Sequence, residues 1–264
     1  MFEQFILPAL LIGGMSAILA FLLAYLGKKL AVKHDERIDK IQDNLAGANC
    51  GGCGYPGCAT FAQALVKGET DLSKCAVTSE VRKSEIASIL GIELGNEERK
   101  VGIVRCMGGD NCNAKYNYQG YYSCESEDLI VGGNKSCPTG CLGLGTCVSA
   151  CSFGAITIKD GVAHVDYKKC RACGACAIKC PKKLIDKIPL TAKVYVACSS
   201  HCKGKEVMGA CSKGCIGCGK CARVCPNGAI EIKDNLPIID YSKCNGCKTC
   251  VTSCVRKCIK EYLD

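Results

Sequence analysis

The chain contains no tryptophan, only five phenylalanines and only three histidines among 264 residues. With aromatics at 6%, it has no means of building a large aromatic core, and its folding free energy must come largely from elsewhere. His34, His164 and His201 are too few and too scattered for an imidazole metal centre and read as surface residues, although His201 adjoins Cys202. No acid–base pair or activated nucleophile stands out, so no catalytic residue is expected. The sequence is also read as lacking a Gly-rich dinucleotide fingerprint that opens a helix, which places nicotinamide and flavin chemistry on other polypeptides. What the chain has in excess is cysteine, 27 residues of it.

Cys215, Cys218, Cys221 and Cys225 precede Pro226 with the spacing C-x2-C-x2-C-x3-C-P, and Cys170, Cys173, Cys176 and Cys180 repeat it before Pro181. This run binds [4Fe–4S] clusters in bacterial ferredoxins, three thiolates gripping one cluster while the fourth crosses to a second. A short loop sets three sulfurs at three corners of a cube, and the helical turn after it aims the last sulfur elsewhere. Zinc sites need pairs of cysteines, not triplets. Metal–sulfur bonds then supply the folding free energy that aromatic packing does not.

The spacing belongs to a longer repeat. Residues 151–170 match 225–244 at a constant offset, which also carries Cys124, Cys137, Cys141 and Cys147 onto Cys198, Cys211, Cys215 and Cys221. Ala155–Asp166 and Ala229–Asp240 read as β-hairpins turning at Asp160-Gly161 and Asp234-Asn235. Each repeat thus has the plan of a two-cluster ferredoxin. The crossed pattern gives Cys215, Cys218, Cys221 and Cys254 to one cluster and Cys244, Cys247, Cys250 and Cys225 to its neighbour. In the first repeat it gives Cys170, Cys173, Cys176 and Cys151 to a third. The fourth set is short of a ligand, because Leu144 stands where Cys218 would map and leaves Cys141, Cys147 and Cys180. Two repairs are open: Cys137, one short turn upstream, swings in, or the site holds a three-iron cluster. The first is favoured.

Upstream, Cys50, Cys53, Cys58 and Cys75 form a self-contained four-iron set within NCGGCGYPGC and after it, with glycines that allow tight folding around a cluster. Helices are expected at Thr60–Val66 and Ser79–Leu90, the second stopped by Gly91. Two groups remain as further candidate ligands: Cys106, Cys112 and Cys124, which could close with Cys137, and Cys198, Cys202, Cys211 and Cys258. The expected total is five to seven clusters, one of them either [4Fe–4S] or [3Fe–4S]. Any of the leftover thiols could instead be a small buried hydrophobe.

The formal charge of +9 does not indicate nucleic-acid binding, because each cluster with four thiolates carries negative charge that offsets the lysines. Lysines 168, 169, 179, 182, 183 and 187 either dock an acidic partner or compensate charge on a solvated surface. Gln4–Gly27 is uncharged and mostly apolar, long enough to span a bilayer, with Glu3 before it and Lys28, Lys29 and Lys33 after it. The positive-inside rule then puts the bulk of the chain on the cytoplasmic side of a single-pass anchor in the cell membrane, where thiols stay reduced.

A membrane helix, an ANCGGCGYPGC domain and tandem repeats containing GCLGLGTC and GCIGCGKC together resemble the B subunit of the Rnf complexes. The resemblance covers essentially the whole length. It departs from the usual motif where Ser152 and Val255 replace the proline after the fourth cysteine. It implies an electron-transfer subunit of a membrane-bound, ion-translocating ferredoxin:NAD oxidoreductase. Reduced soluble ferredoxin would be the donor, the repeats the entry end, and the Cys50–Cys75 cluster the exit to an integral-membrane partner. The expected fold is α+β: residues 1–27 a transmembrane helix, 28–44 a linker helix, 45–95 an N-terminal four-cysteine domain, 101–190 and 191–264 ferredoxin-like repeats. The alternative is a membrane-tethered polyferredoxin serving another oxidoreductase such as a hydrogenase.

Overall fold

The computed structural model describes residues 3–29, 35–95 and 98–262, with side chains from Gly13 onward in the first stretch. Lys33 and His34, which the sequence reading places in the linker helix, lie outside the described residues. Helix α1 runs Glu3–Lys29 and closes on Lys28 and Lys29, cations that suit a helix C-terminus. Among the described residues no helix is long and apolar enough to cross a membrane.

Helix α2 (Glu36–Asn44) begins where Asp35 accepts the Arg37 N–H as an N-cap. Its apolar stripe falls on Ile38, Ile41 and Leu45: Ile41 is fully buried, Leu45 nearly so, and Ile38 packs beside them. They meet Phe61 and Leu65 of α3 (Cys58–Val66) and Ile86 and Ala87 of α4 (Glu80–Leu90), with Leu72 beneath. Gly91 stops α4 in the left-handed conformation at φ 68°, as its position suggests. Cys53, Cys58 and Cys75 pack against this small core, which therefore holds their loops in place. Ile41→Ala is expected to destabilise it by about 2–5 kcal/mol. The measurement is thermal release of iron from this domain, which should occur at a lower temperature than in the parent.

The rest is built from four two-stranded antiparallel sheets. In the first unit, β1 (Lys100–Val104) pairs with β4 (Ile185–Pro189) around the hairpin of β2 (Ile156–Lys159) and β3 (Val162–Val165). In the second, β5 (Val194–Val196) pairs with β8 (Ile259–Glu261) around β6 (Ile230–Lys233) and β7 (Leu236–Ile239). Both hairpins turn where expected. Asp160-Gly161 and Asp234-Asn235 all take positive φ, the conformation that matches the strand twist. Short helices carry the cysteines between strands: α5 (Cys124–Asp128), α6 (Thr146–Ser149) and α7 (Ala175–Lys179), then α8 (Gly204–Ala210), α9 (Lys220–Arg223) and α10 (Thr249–Ser253). The architecture is mixed α and β.

The two units share a wall. Val101, Ile103 and Ile188 of the first pack against Tyr262 of the second, with Tyr195 and Tyr241 alongside. Tyr262 meets Tyr167 and Tyr195 edge-on, with ring centroids 5.6 and 6.3 Å apart. A second attachment pairs Cys112 with Cys211 in an isolated antiparallel bridge. The Asn113 N–H donates to the Ala210 carbonyl and the Ser212 N–H to the Asn111 carbonyl.

Candidate iron–sulfur sites

All 27 cysteines are free of disulfides, and the tertiary fold collects most of them around small cavities. Cys50, Cys53, Cys58 and Cys75 line one of these. Cys151, Cys170, Cys173 and Cys176 line another, although Cys151 lies far from the other three in sequence. In the second unit Cys215, Cys221, Cys225, Cys244, Cys250 and Cys254 all border one core, from which Cys218 and Cys247 reach the surface.

The cavity at the site with the missing ligand has a different lining from the sequence expectation. Cys141, Cys147 and Cys180 share their cavity with Cys124, not with Cys137, which lines another cavity. The physical reason is an inserted loop. Cys106 to Cys141 covers 35 positions, whereas its counterpart, Cys198 to Cys215, covers 17. The longer loop folds α5 over the site. The Thr146 hydroxyl accepts the Cys124 N–H at 2.9 Å, and Lys182 clamps the loop by pairing with Asp128 at 2.6 Å and donating to the Gly132 carbonyl at 2.7 Å. That role takes Lys182 out of the expected docking lysines.

The same loop upsets the constant offset upstream of Cys137. Cys198 follows β5 by two residues, as Cys106 follows β1, and each accepts a backbone N–H at 3.4 Å, from Cys215 and Cys141 respectively. The structural counterpart of Cys198 is thus Cys106 and not Cys124. The four leftover cysteines of the second repeat do not gather either. Cys198, Cys202 and Cys211 line the cavity that holds Cys137, while Cys258 lies outside that lining, 1% exposed, and donates its S–H to the Lys213 carbonyl at 3.2 Å.

The donor chemistry suits iron–sulfur clusters. Backbone N–H groups point at the sulfurs: Ala155 to Cys151, Ala172 and Gly102 to Cys170, Leu184 to Cys180, Ala229 to Cys225 and Cys258 to Cys254, all at 3.3–3.5 Å. Such donors stabilise sulfur that carries negative charge. With no metal in place, burial pushes Cys141, Cys176, Cys221 and Cys250 up to about 11 and Cys147 up to about 12. Thiols so situated become ligands only when a metal cation compensates the lost proton. Cys254 and Cys215 shift the other way, lowered to about 5 and about 7 chiefly by the neighbouring Cys258 side chain, whose own thiol is raised well above the ordinary range beside them.

Glycines set the close approaches. A Cβ on Gly217 would stand 2.8 Å from the Asn235 carbonyl oxygen at the hairpin tip, and Gly217 sits at φ 67°. A Cβ on Gly52 would stand only 2.1 Å from the Cys173 carbonyl oxygen, so the Cys50–Cys75 loop rests directly on the first unit. Cys173 joins the lining of the N-terminal cavity, where burial, together with the neighbouring Cys50 sulfur, pushes the Cys173 thiol up. Gly52, Gly54 and Gly57 do stand at G-x-G-x-x-G spacing before α3, contrary to the sequence reading. No strand precedes them among the described residues, and Gly52 is occupied by its contact with Cys173, so the spacing serves a cysteine loop. His164 and His201 are exposed, as expected, and the His201 ring bonds the Asp234 carbonyl at 2.9 Å.

Residues 45–77 match the family described as "Putative Fe-S cluster", and residues 214–258 match the 4Fe-4S dicluster domain. The B subunit of the ion-translocating oxidoreductase complex of Methanosarcina acetivorans is 38% identical over 251 residues, covering 94% of this chain and 95% of that protein. The B subunit of the Na(+)-translocating ferredoxin:NAD(+) oxidoreductase complex of Acetobacterium woodii is 37% identical over 100% of this chain and 80% of its own length. The proton-translocating counterpart from Clostridium ljungdahlii is 39% identical over 94% and 89%. The chain therefore belongs to the family of B subunits of the ion-translocating Rnf oxidoreductase complexes.

Proposed function

We propose that this chain accepts electrons from reduced ferredoxin and passes them along a file of [4Fe–4S] sites to a membrane-embedded subunit of an ion-translocating ferredoxin:NAD oxidoreductase. Bound clusters supply one-electron chemistry, with no bond made or broken in a substrate. Five sites are assigned: Cys50, Cys53, Cys58 and Cys75; Cys124, Cys141, Cys147 and Cys180; Cys151, Cys170, Cys173 and Cys176; Cys215, Cys218, Cys221 and Cys254; Cys225, Cys244, Cys247 and Cys250. The membrane anchor is Gln4–Gly27, and the cysteine domains lie on the cytoplasmic side.

The observation that carries the reading is the direct contact between Cys173 and the Cys50–Cys75 loop. This contact supports reading the N-terminal site as one end of the file, next to the Cys173 site. At the other end Cys218 and Cys247 are exposed, which gives a soluble donor close access to the second unit. The order of transfer runs from the second unit through the first to the N-terminal site.

Cys53→Ala tests this order. The remaining sites should still bleach on addition of reduced ferredoxin, while reduction of the downstream carrier in membranes should stop. Reduction of that carrier at the parental rate would mean that electrons leave elsewhere.

A further inference from the structure

The five assigned sites use 20 of the 27 cysteines; Cys258 lies outside the lining of the remaining cavity with its S–H on the Lys213 carbonyl, and six remain. Those six are not dispersed. Cys106, Cys112, Cys137, Cys198, Cys202 and Cys211 all line one cavity of about 260 Å³ at the seam between the two ferredoxin-like units. The cavities at the Cys124, Cys151 and N-terminal sites measure about 20 Å³ each on the same scale, so the seam has ample room.

The six form two equivalent triads. Cys106 and Cys198 each follow the first strand of their unit by two residues, and Cys137 and Cys211 each stand four residues before the counterparts Cys141 and Cys215. Cys112 and Cys202 complete the triads. The N–H groups of Gly108 and Cys141 both donate to Cys106 Sγ at 3.4 Å, and that of Cys215 to Cys198 Sγ at the same distance. This is the N–H to sulfur pattern of the assigned sites. The triads meet at the Cys112–Cys211 bridge, where a Cβ on Gly108 would touch Cys211 Sγ at 3.1 Å and stand 3.8 Å from Cys106 Sγ. Arg105 and Lys213 border the cavity with positive charge, against the single carboxylate of Glu206. Neither triad has a fourth thiol within its own unit's share of the lining.

We infer that the seam binds one further [4Fe–4S] cluster, with ligands drawn from both triads, and that it joins the electron paths of the two units. A four-ligand cluster needs at least one thiolate from across the seam, which explains why both triads face one cavity. The position is that of a bridge. Cys198 is bonded to the N–H of Cys215, a ligand of the second unit, and Cys106 to the N–H of Cys141, a ligand of the first. With clusters bound, an electron leaving the Cys215 site would oxidise it by one and reduce the seam site by one, and the same one-electron exchange would follow between the seam and the Cys141 site, with no proton moved and no bond broken. This role rests on the proposed ferredoxin-to-membrane order, whereas the existence of the site does not.

The test is made on the full-length, anaerobically purified protein. Native mass spectrometry of the parent should count six clusters; five would overturn the inference. The paired variants C106S/C137S and C198S/C211S should each lose about four irons and four sulfides. Their combination should lose no more than either pair alone, because both pairs serve one cluster. Unchanged iron in either pair, additive losses, or zinc in place of iron would overturn a shared site. If the losses are as expected but reduction of the first unit by ferredoxin is undiminished, the site stands and its place in the order does not.

Discussion

Replacing Cys124 with serine is expected to remove the four-iron cluster from the site that it shares with Cys141, Cys147 and Cys180, leaving either no cluster there or a three-iron one. Serine offers a harder, less readily ionised donor at a position whose own backbone N–H is anchored on the Thr146 hydroxyl, so the backbone should stay in place. Iron content should fall by about one to four atoms per chain, with a three-iron signal in the EPR spectrum in the milder case. Cys137→Ser should leave this site untouched, since Cys137 lines the seam cavity. Leu144 occupies the slot that Cys218 fills in the second unit, so L144C introduced into the Cys124→Ser background should restore the four-iron cluster. If Cys124→Ser retains full iron and spectrum, Cys124 is not the ligand that replaces the missing one.

The second large effect concerns the contact between domains. Gly52→Ala brings a methyl group to within 2.1 Å of the Cys173 carbonyl oxygen, a distance that forces the N-terminal domain away from the first unit. Overpacking of this kind costs about 1–3 kcal/mol. Set against a docking equilibrium, that corresponds to roughly a 5- to 150-fold loss of the docked arrangement. Electron tunnelling weakens steeply with separation, so delivery from the first unit to the Cys50–Cys75 site should slow while ferredoxin-driven reduction of the two units continues. Total iron should be unchanged. Stopped-flow kinetics of cluster bleaching separate the two phases, and a variant with both phases at parental speed would show that this contact does not set the transfer rate.

Much of the molecule was legible as sequence because cluster ligation is largely local. In Cys215–Cys218–Cys221 the sulfurs are brought together by a loop only a few residues long, and the hairpins that follow declare themselves through turn residues with positive φ. The stripe of Ile38, Ile41 and Leu45 was likewise readable, since a helix converts spacing into a common face. Less legible were the positions of cysteines carried by long loops. Cys137 lies close to Cys141 in the chain, yet its thiol lines the seam cavity, while Cys124, seventeen positions before Cys141, is carried back by α5 and held through Thr146 and Lys182.

The amino-acid sequence by itself determined the chemistry: thiolates in triplets, a doubled ferredoxin plan, a separate four-cysteine domain and an apolar N-terminal stretch. The tertiary structure alone decided that Cys124 rather than Cys137 shares a cavity with Cys141, Cys147 and Cys180, that six further cysteines line one cavity at the seam, and that the N-terminal loop rests on Cys173. The division has one physical cause. Spacing within a short loop fixes where sulfurs stand relative to one another, because few backbone conformations connect them. Convergence from opposite sides of an inserted loop or a domain boundary depends instead on which apolar faces and backbone donors find each other in the folded chain.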